Sequence, residues 1–289
     1  MKPTIKLATS ATPDGGEMVL YQHDNDFSIR INGLELMNSR QHESEQELAR
    51  LGCAQLSSRA GVKILVGGLG LGYTLRQALD MLAEDASVVI SELMPEVVIW
   101  NREYLGSLNN NALEDRRVEV VDGDIYQLIA KTSDQFDAIL LDVDNGPTAM
   151  VDSGNQRLYD PAGIQICRRA LRKQGILAVW STEPSKKYER FLKNGGFKVK
   201  RYKVKNYPGS KTKPLFIWVA AEDEAILPPG GSEPTQLDRK EPLENRKTTQ
   251  KKVPANKLKS HKPSILPGKE HSRPQSKKGI PRPPYKEQV

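Results

Sequence analysis

Residues 62–76 read VKILVGGLGLGYTLR, a largely β-branched apolar run that breaks into four glycines before a helical pattern begins. This segment commits the chain to a strand, a tight turn and a helix. Gly67, Gly68, Gly70 and Gly72 lack a Cβ, so the backbone can turn sharply and approach a ligand, and the helix that follows offers its first N–H groups. That is the pattern of a nucleotide-binding turn. Glycine-rich turns also occur as plain connections, so the rest of the chain must decide between the two.

Residues 87–92 (SVVISE) read as a second buried strand ending in a carboxylate, about twenty residues after the glycines. In doubly wound folds an acidic side chain there holds ribose hydroxyls, which makes Glu92 the candidate ribose ligand; a solvated strand-end glutamate is the simpler alternative. A third strand at 118–121 runs into Asp122-Gly123-Asp124, and a fourth at 136–141 runs into Asp142-Val143-Asp144-Asn145-Gly146-Pro147. Each carboxylate cluster follows a strand's C-terminal end, where open parallel sheets bind ligands.

Helical stretches at 73–84, 95–104, 124–132, 157–173 and 185–194 alternate with these strands, which predicts helices on both faces of a parallel sheet. The core closes differently. A fifth strand at 175–180 is followed by strands at 197–203 and 214–220 joined by a polar loop at 204–213, too short for a parallel return, so these two pair antiparallel. Before the glycine loop, residues 17–37 alternate polar and apolar across Asp24-Asn25-Asp26 and Asn32-Gly33, which predicts a small antiparallel sheet of three short strands, then a helix at about 44–57. The expected fold is α/β: a doubly wound, mainly parallel seven-stranded sheet with a small N-terminal antiparallel sheet.

Charge is unevenly placed. Residues 239–289 carry fifteen Lys and Arg against four Asp and Glu, a net of +11, while residues 1–238 carry a net of −4. The basic end is also rich in proline and poor in aromatic and β-branched residues, so residues 224–289 are expected to be disordered. The organisation is then 1–43 for the small sheet, 44–223 for a nucleoside-binding catalytic domain and 224–289 for a Pro/Lys-rich tail. Without amphipathic period or interleaved aromatics, that tail is expected to attract polyanions weakly, or to serve as a solvated extension. Cys53 and Cys167 fall in helical patterns as small buried hydrophobes, and His23, His42, His261 and His271 have no ligand spacing, so no metal is expected. No run approaches the roughly 18 apolar residues of a membrane span, and a cytoplasmic protein without a membrane partner is expected.

The motifs, in order, resemble the spermidine synthases, the polyamine aminopropyltransferases built on the fold of S-adenosylmethionine-dependent methyltransferases. The likeness covers about residues 17–220. Ile31-Asn32-Gly33 resembles the family's L-D-G turn, and GGLGLGYTLR resembles its GGGDGGxxRE loop. Ser91-Glu92 resembles its ribose-holding strand end. Gly123-Asp124 within RVEVVDGDIY matches the G-D pair that contacts adenine, and LDVDNGP resembles the D-S-S-D-P-x-G-P loop whose first aspartate, here Asp142, is catalytic. The second aspartate falls on Asp144 or Asn145. Leu158-Tyr159 and Tyr207-Pro208-Gly209 resemble the later L-Y and Y-P-x-G segments, the latter with a tyrosine in the amine pocket.

The resemblance implies catalytic roles for Asp142, Asp144 and Tyr207, and cofactor binding by Gly67, Gly68, Gly70, Gly72, Glu92, Gly123, Asp124 and Asp142. It implies a decarboxylated S-adenosylmethionine donor, a polyamine or other small nucleophile as acceptor, and a homodimer formed through the N-terminal sheet. Three departures stand out: Gly70 replaces the aspartate that holds the donor's amine, Leu34-Glu35-Leu36 follows the turn without the family's glutamine, and Gln41-His42-Glu43 stands for its Y-H-E helix start. Three readings therefore stand: an aminopropyltransferase, a methyltransferase using intact S-adenosylmethionine, and an inactive binding protein whose tail does the work. Asp142 itself is either the proton acceptor or a turn aspartate with local hydrogen bonds.

Overall fold

The computed structural model describes residues 3–143, 146–147, 154–207, 209 and 212–232. Asp144, Asn145, Pro208 and the tail beyond Ser232 lie outside the described residues. Two sheets organise the rest. The first is a four-stranded antiparallel meander in the order β1 (Thr4–Ala11), β2 (Glu17–His23), β3 (Asp26–Ile31) and β4 (Leu34–Asn38). The sequence reading expected three strands there and missed β1. That strand lies at the sheet's edge with mostly exposed or half-buried side chains, so it lacks the alternation that a half-buried strand writes into its sequence.

The second sheet has seven strands, in spatial order β10, β11, β9, β8, β5, β6, β7. These are β5 (Lys63–Gly67), β6 (Ser87–Glu92), β7 (Val118–Asp122), β8 (Phe136–Leu141), β9 (Leu171–Ser181), β10 (Lys198–Val204) and β11 (Leu215–Ala221). All neighbours are parallel except β11, which runs antiparallel to both β9 and β10. This is the mainly parallel, doubly wound sheet that the alternation of strands and helices predicts. β8 is buried along its whole length, as a central parallel strand covered on both faces must be.

On one face lie α1 (Glu43–Gly52), α2 (Tyr73–Met81) and the helical run α3 (Pro95–Trp100), a π-helical segment Asn101–Leu105 and α4 (Gly106–Asn109). On the other lie α5 (Ile125–Ala130), α6 (Pro161–Ala170) and α7 (Lys186–Asn194). α1 ends earlier than the predicted 57, at Gly52, where a Cβ would lie 2.1 Å from Leu140 Cδ2; the helix packs onto β8 with no room for a side chain. α6 is likewise shorter than the predicted 157–173. Asp160 caps it through Gly163 N, Pro161 opens it, and β9 begins at once at Leu171.

Cys53 and Cys167 are both buried free thiols, and burial pushes each up to about 12. No helix among the described residues is long and apolar enough to cross a membrane. The packed chain continues beyond 224, the expected start of the tail. Leu227 is buried, the Pro228 carbonyl accepts from Lys200 Nζ at 3.0 Å and Tyr202 Oη at 2.7 Å, and Ser232 bridges to Arg201 on the free edge of β10.

Candidate active site

The strand register brings the sequence clusters to one end of the sheet: Gly67 stands opposite Ser91 and Leu141, and Glu92 opposite Asp122. The glycine loop is sewn to its neighbours through backbone. Gly68 N donates to Ser91 O at 2.9 Å, and Asp142 N donates to Gly67 O at 2.9 Å. Gly68 has φ +85°, and a Cβ there would lie 2.4 Å from the Asp142 carbonyl oxygen, so both backbone conformation and space demand glycine. The four loop glycines divide by role. Gly67 makes room for Ile125 Cδ1 and Gly72 for the Asn109 side chain, whereas Gly70 faces only Met37 Sδ, 3.3 Å from where its Cβ would be.

Glu92 is only 8% exposed, and its two oxygens accept from Leu69 N at 2.8 Å and Met94 N at 2.9 Å. Each oxygen keeps acceptor capacity beyond the bond it already holds. The carboxylate thus fastens the glycine loop to the end of β6 and still presents two acceptors. Gly123, next along the same rim at φ +129°, would have no atom within 4 Å of a Cβ, so its surroundings are open. Asp124 caps α5 through Tyr126 N at 2.8 Å and pairs with Arg157, which lies 4.4 Å over the Tyr126 ring.

Asp142 follows the last residue of β8. Its Oδ2 accepts from Thr74 Oγ1 at 2.7 Å, and the same hydroxyl lies 3.2 Å from the backbone carbonyl of Glu45. Burial pushes the Asp142 carboxyl up to about 7, and the Glu45 charge pushes in the same direction, against the Thr74 hydrogen bond. Glu45 is itself raised by burial, opposed by a 2.5 Å bond from Ser44 Oγ. The Glu45 charge acting on Asp142 disfavours ionisation of both carboxyls together.

Nothing in the sequence marks Glu45, which lies in the helix expected at about 44–57 as an ordinary polar residue. Asn101 and Asn109 were also missed. Asn101 Nδ2 donates to Gly70 O at 2.8 Å, and Asn109 Nδ2 donates to Leu71 O at 3.1 Å and to Asn101 Oδ1 at 2.8 Å. Buried asparagines thus take up carbonyls of the glycine loop. Only the run of three asparagines at 109–111, where a helix gives way to a turn, could have signalled them.

Tyr207, 39% exposed, lines a separate surface cavity of about 220 Å³ with Glu43, Glu47 and Lys203. Its neighbour Asn206 meets the approach to α1, where Glu43 N donates to Asn206 O at 3.4 Å and Asn206 Nδ2 donates to Gln41 Oε1 at 2.9 Å. Asp144 lies outside the described residues. Among the described residues no group of three His, Cys, Asp or Glu side chains is placed to hold a metal ion.

Comparison with known proteins bears on what such a site does. A family model described as the spermine/spermidine synthase domain matches residues 46–205, more than half of the chain. A polyamine aminopropyltransferase of Oceanobacillus iheyensis is 28% identical over 171 residues, which is 58% of this chain and 32% of the relative. One of Saccharolobus islandicus is 29% identical over 129 residues, 45% of this chain and 42% of the relative. The chain thus spans well under half the length of these curated relatives. The fold is that of the solved spermidine synthase of Thermotoga maritima, with a TM-score of 0.61 at 16% identity over 78% of this chain and 75% of that one. A spermidine synthase solved with the transition-state analogue AdoDATO superposes with a TM-score of 0.60 at 16% identity, over 78% of this chain and 76% of that one.

Proposed function

The chain belongs to the spermine/spermidine synthase family, and on that premise we propose that it transfers an aminopropyl group from decarboxylated S-adenosylmethionine to a polyamine or similar amine. In such a transfer the acceptor nitrogen's lone pair forms the new C–N bond while the C–S bond breaks and its electrons return to sulfur. The ammonium proton must leave for the lone pair to become available. Asp142, raised to about 7 beside the glycine loop, is the observation that carries the reading: near neutrality it is both ionised often enough to accept a proton and basic enough to hold it. With Glu45 close by, the pair also supplies the negative charge that draws a cationic amine into a water-poor site.

Glu92 would hold the ribose hydroxyls through its spare acceptors, and the N–H groups after Gly70 would face the nucleoside end of the donor. Asp124 would meet the nucleoside's base through the acceptor capacity that each of its oxygens keeps beyond its bond to Tyr126 N or Arg157, while it fixes the Gly123 turn.

One observation favours a second reading, methyl transfer from intact S-adenosylmethionine. The family's amine-binding aspartate is Gly70 here, and the neighbouring Met37 thioether offers no charge to choose between a donor with a carboxylate and one without. Titration calorimetry with the two donors separates the readings. Preference for the decarboxylated donor, with turnover on a diamine, supports aminopropyl transfer; preference for the intact donor supports methyl transfer; binding of neither would overturn both.

A further inference from the structure

The small net charge of the first 238 residues conceals a sharp division. Residues 1–156 hold twelve Lys and Arg against twenty-four Asp and Glu, a net of −12, whereas residues 157–213 hold sixteen against three, a net of +13. The second stretch includes α6, β9, α7 and β10, which carry twelve of its sixteen Lys and Arg, so positive charge gathers on one face and one lateral edge of the large sheet. Carboxylates from outside the stretch pair with Arg157 (Asp124), Arg168 (Glu222) and Arg172 (Asp137), and the stretch itself holds only its three acidic residues. Asp160 caps α6, and Glu189 is buried with Arg201 at 2.6 Å and Trp218 Nε1 at 3.0 Å, which leaves Glu183 exposed.

The exposed side of α7 is a continuous basic stripe. Lys186, Lys187, Arg190 and Lys193 all point to solvent while Tyr188, Glu189 and Leu192 face the core, and the stripe runs about 10 Å along the helix. α6 lies alongside, since Gln165 Nε2 reaches Gly195 O at 3.5 Å and the Arg168 guanidinium lies 3.1 Å from where a Gly196 Cβ would be. Exposed Arg169, Lys173 and Lys198 extend the same surface.

We propose that the α6–α7–β10 flank is a docking surface for the phosphate backbone of double-helical nucleic acid. Density of charge selects a polyanion, because each neutralised phosphate releases condensed counterions. The aromatic residues select a duplex over a single strand. On α7 and β10, Tyr188 and Tyr202 are buried and Phe191 is half-buried with Lys187 Nζ 5.6 Å from its ring centroid, Phe197 between them is buried, and the exposed Tyr207 stands past β10 beside Glu43 and Glu47, whose charges repel a strand, so the flank itself offers no open ring for unpaired bases. The residues of this surface include neither Asp142 nor Glu92, and the inference does not depend on which group the site transfers.

The test uses the full chain and a random-sequence DNA duplex of about 20 base pairs, followed by fluorescence anisotropy across a salt series. The variant Lys186→Gln/Lys187→Gln/Arg190→Gln/Lys193→Gln should weaken binding about tenfold or more and make the log-affinity against log-salt slope shallower by about 2–4. Far-UV circular dichroism verifies its fold, and Arg169→Gln/Lys173→Gln/Lys198→Gln gives the same reading should the first variant fail to fold. A tail variant, Lys251→Gln/Lys252→Gln/Lys257→Gln/Lys259→Gln, should retain the flank's share of affinity. Parental affinity and slope in the flank variants, or tighter binding to single strands or to vesicles of anionic phospholipid than to duplex, would overturn the proposal.

Discussion

Asp142 is pulled by two forces of the same sign, burial and the Glu45 charge, and both leave a signature in pH. As the acceptor of a proton it must be ionised, so kcat/KM should rise as pH increases through about 7 and then level. Replacing Glu45 by Gln removes the neighbouring charge, and the rise should move about one unit toward acid. Asp142→Asn should lower turnover at least about 10²-fold while leaving donor affinity within a few-fold; full activity would make Asp142 a turn residue only. Stability carries the second signature. The folded state keeps a proton that the unfolded chain sheds above 3.8, so this contribution is intact below about 4 and is lost as pH rises through about 7. Asp142→Asn should therefore flatten the fall in thermal midpoint between those values and raise the midpoint at pH 7.5 by at least about 3 °C. Glu92→Ala should weaken donor binding by about 1–3 kcal/mol, read by calorimetry; an unchanged affinity would assign Glu92 to loop anchoring alone. At this scale the sequence was legible where chemistry is local: Glu92 and Asp142 each end a strand whose apolar run announces the end. Glu45, Thr74, Asn101 and Asn109 were not, because each sits in a helix as an ordinary polar residue and acquires its role only from what packs against it.

Among the elements, α1 has the most to lose from a small change. It carries Glu45 toward Asp142, and its last residue, Gly52, touches β8 so closely that a Cβ would lie 2.1 Å from Leu140 Cδ2. Gly52→Ala should cost about 1–3 kcal/mol by overpacking, measured by urea unfolding. It should also alter the acid limb of the activity profile more than donor affinity, since the helix shifts Glu45 and leaves Glu92 in place. Equal effects on both would mean that the whole sheet end had moved. β4 exposes Leu34 (77%) and Leu36 (48%) on one side, and the homodimer that the family resemblance implies would cover them. Leu34→Glu/Leu36→Glu should then yield monomers in light scattering, while a chain already monomeric beforehand would remove that expectation. The seven strands of the large sheet were legible because buried parallel strands and their return helices repeat a strong pattern. β1 was not, because an exposed edge strand has no hidden face to write into its residues.

For the molecule as a whole, the division of charge was legible only in part. The tail's net of +11 is a compositional block that any count reveals, whereas the flank's twelve Lys and Arg are interleaved with the apolar residues of α6, β9, α7 and β10 and become a surface only once those elements fold. The end of the packed chain was misjudged for a related reason: Leu227 and Pro228 look like the start of a proline-rich tail until Lys200 and Tyr202 are seen to hold the Pro228 carbonyl. A chain ending at Ala225 loses the burial of Leu227, and its stability should fall by about 1.5–3 kcal/mol relative to one ending at Ser232. The Ser232 bridge to Arg201 has a further consequence. It occupies, with a two-way backbone pair of 3.1 and 2.9 Å, a lateral border of the seven-stranded sheet that would otherwise offer unsatisfied amides and carbonyls to any strand that met it. The last few residues before the tail thus act as a selvedge, and trimming them should turn a well-behaved protein into one that self-associates border to border as its concentration rises.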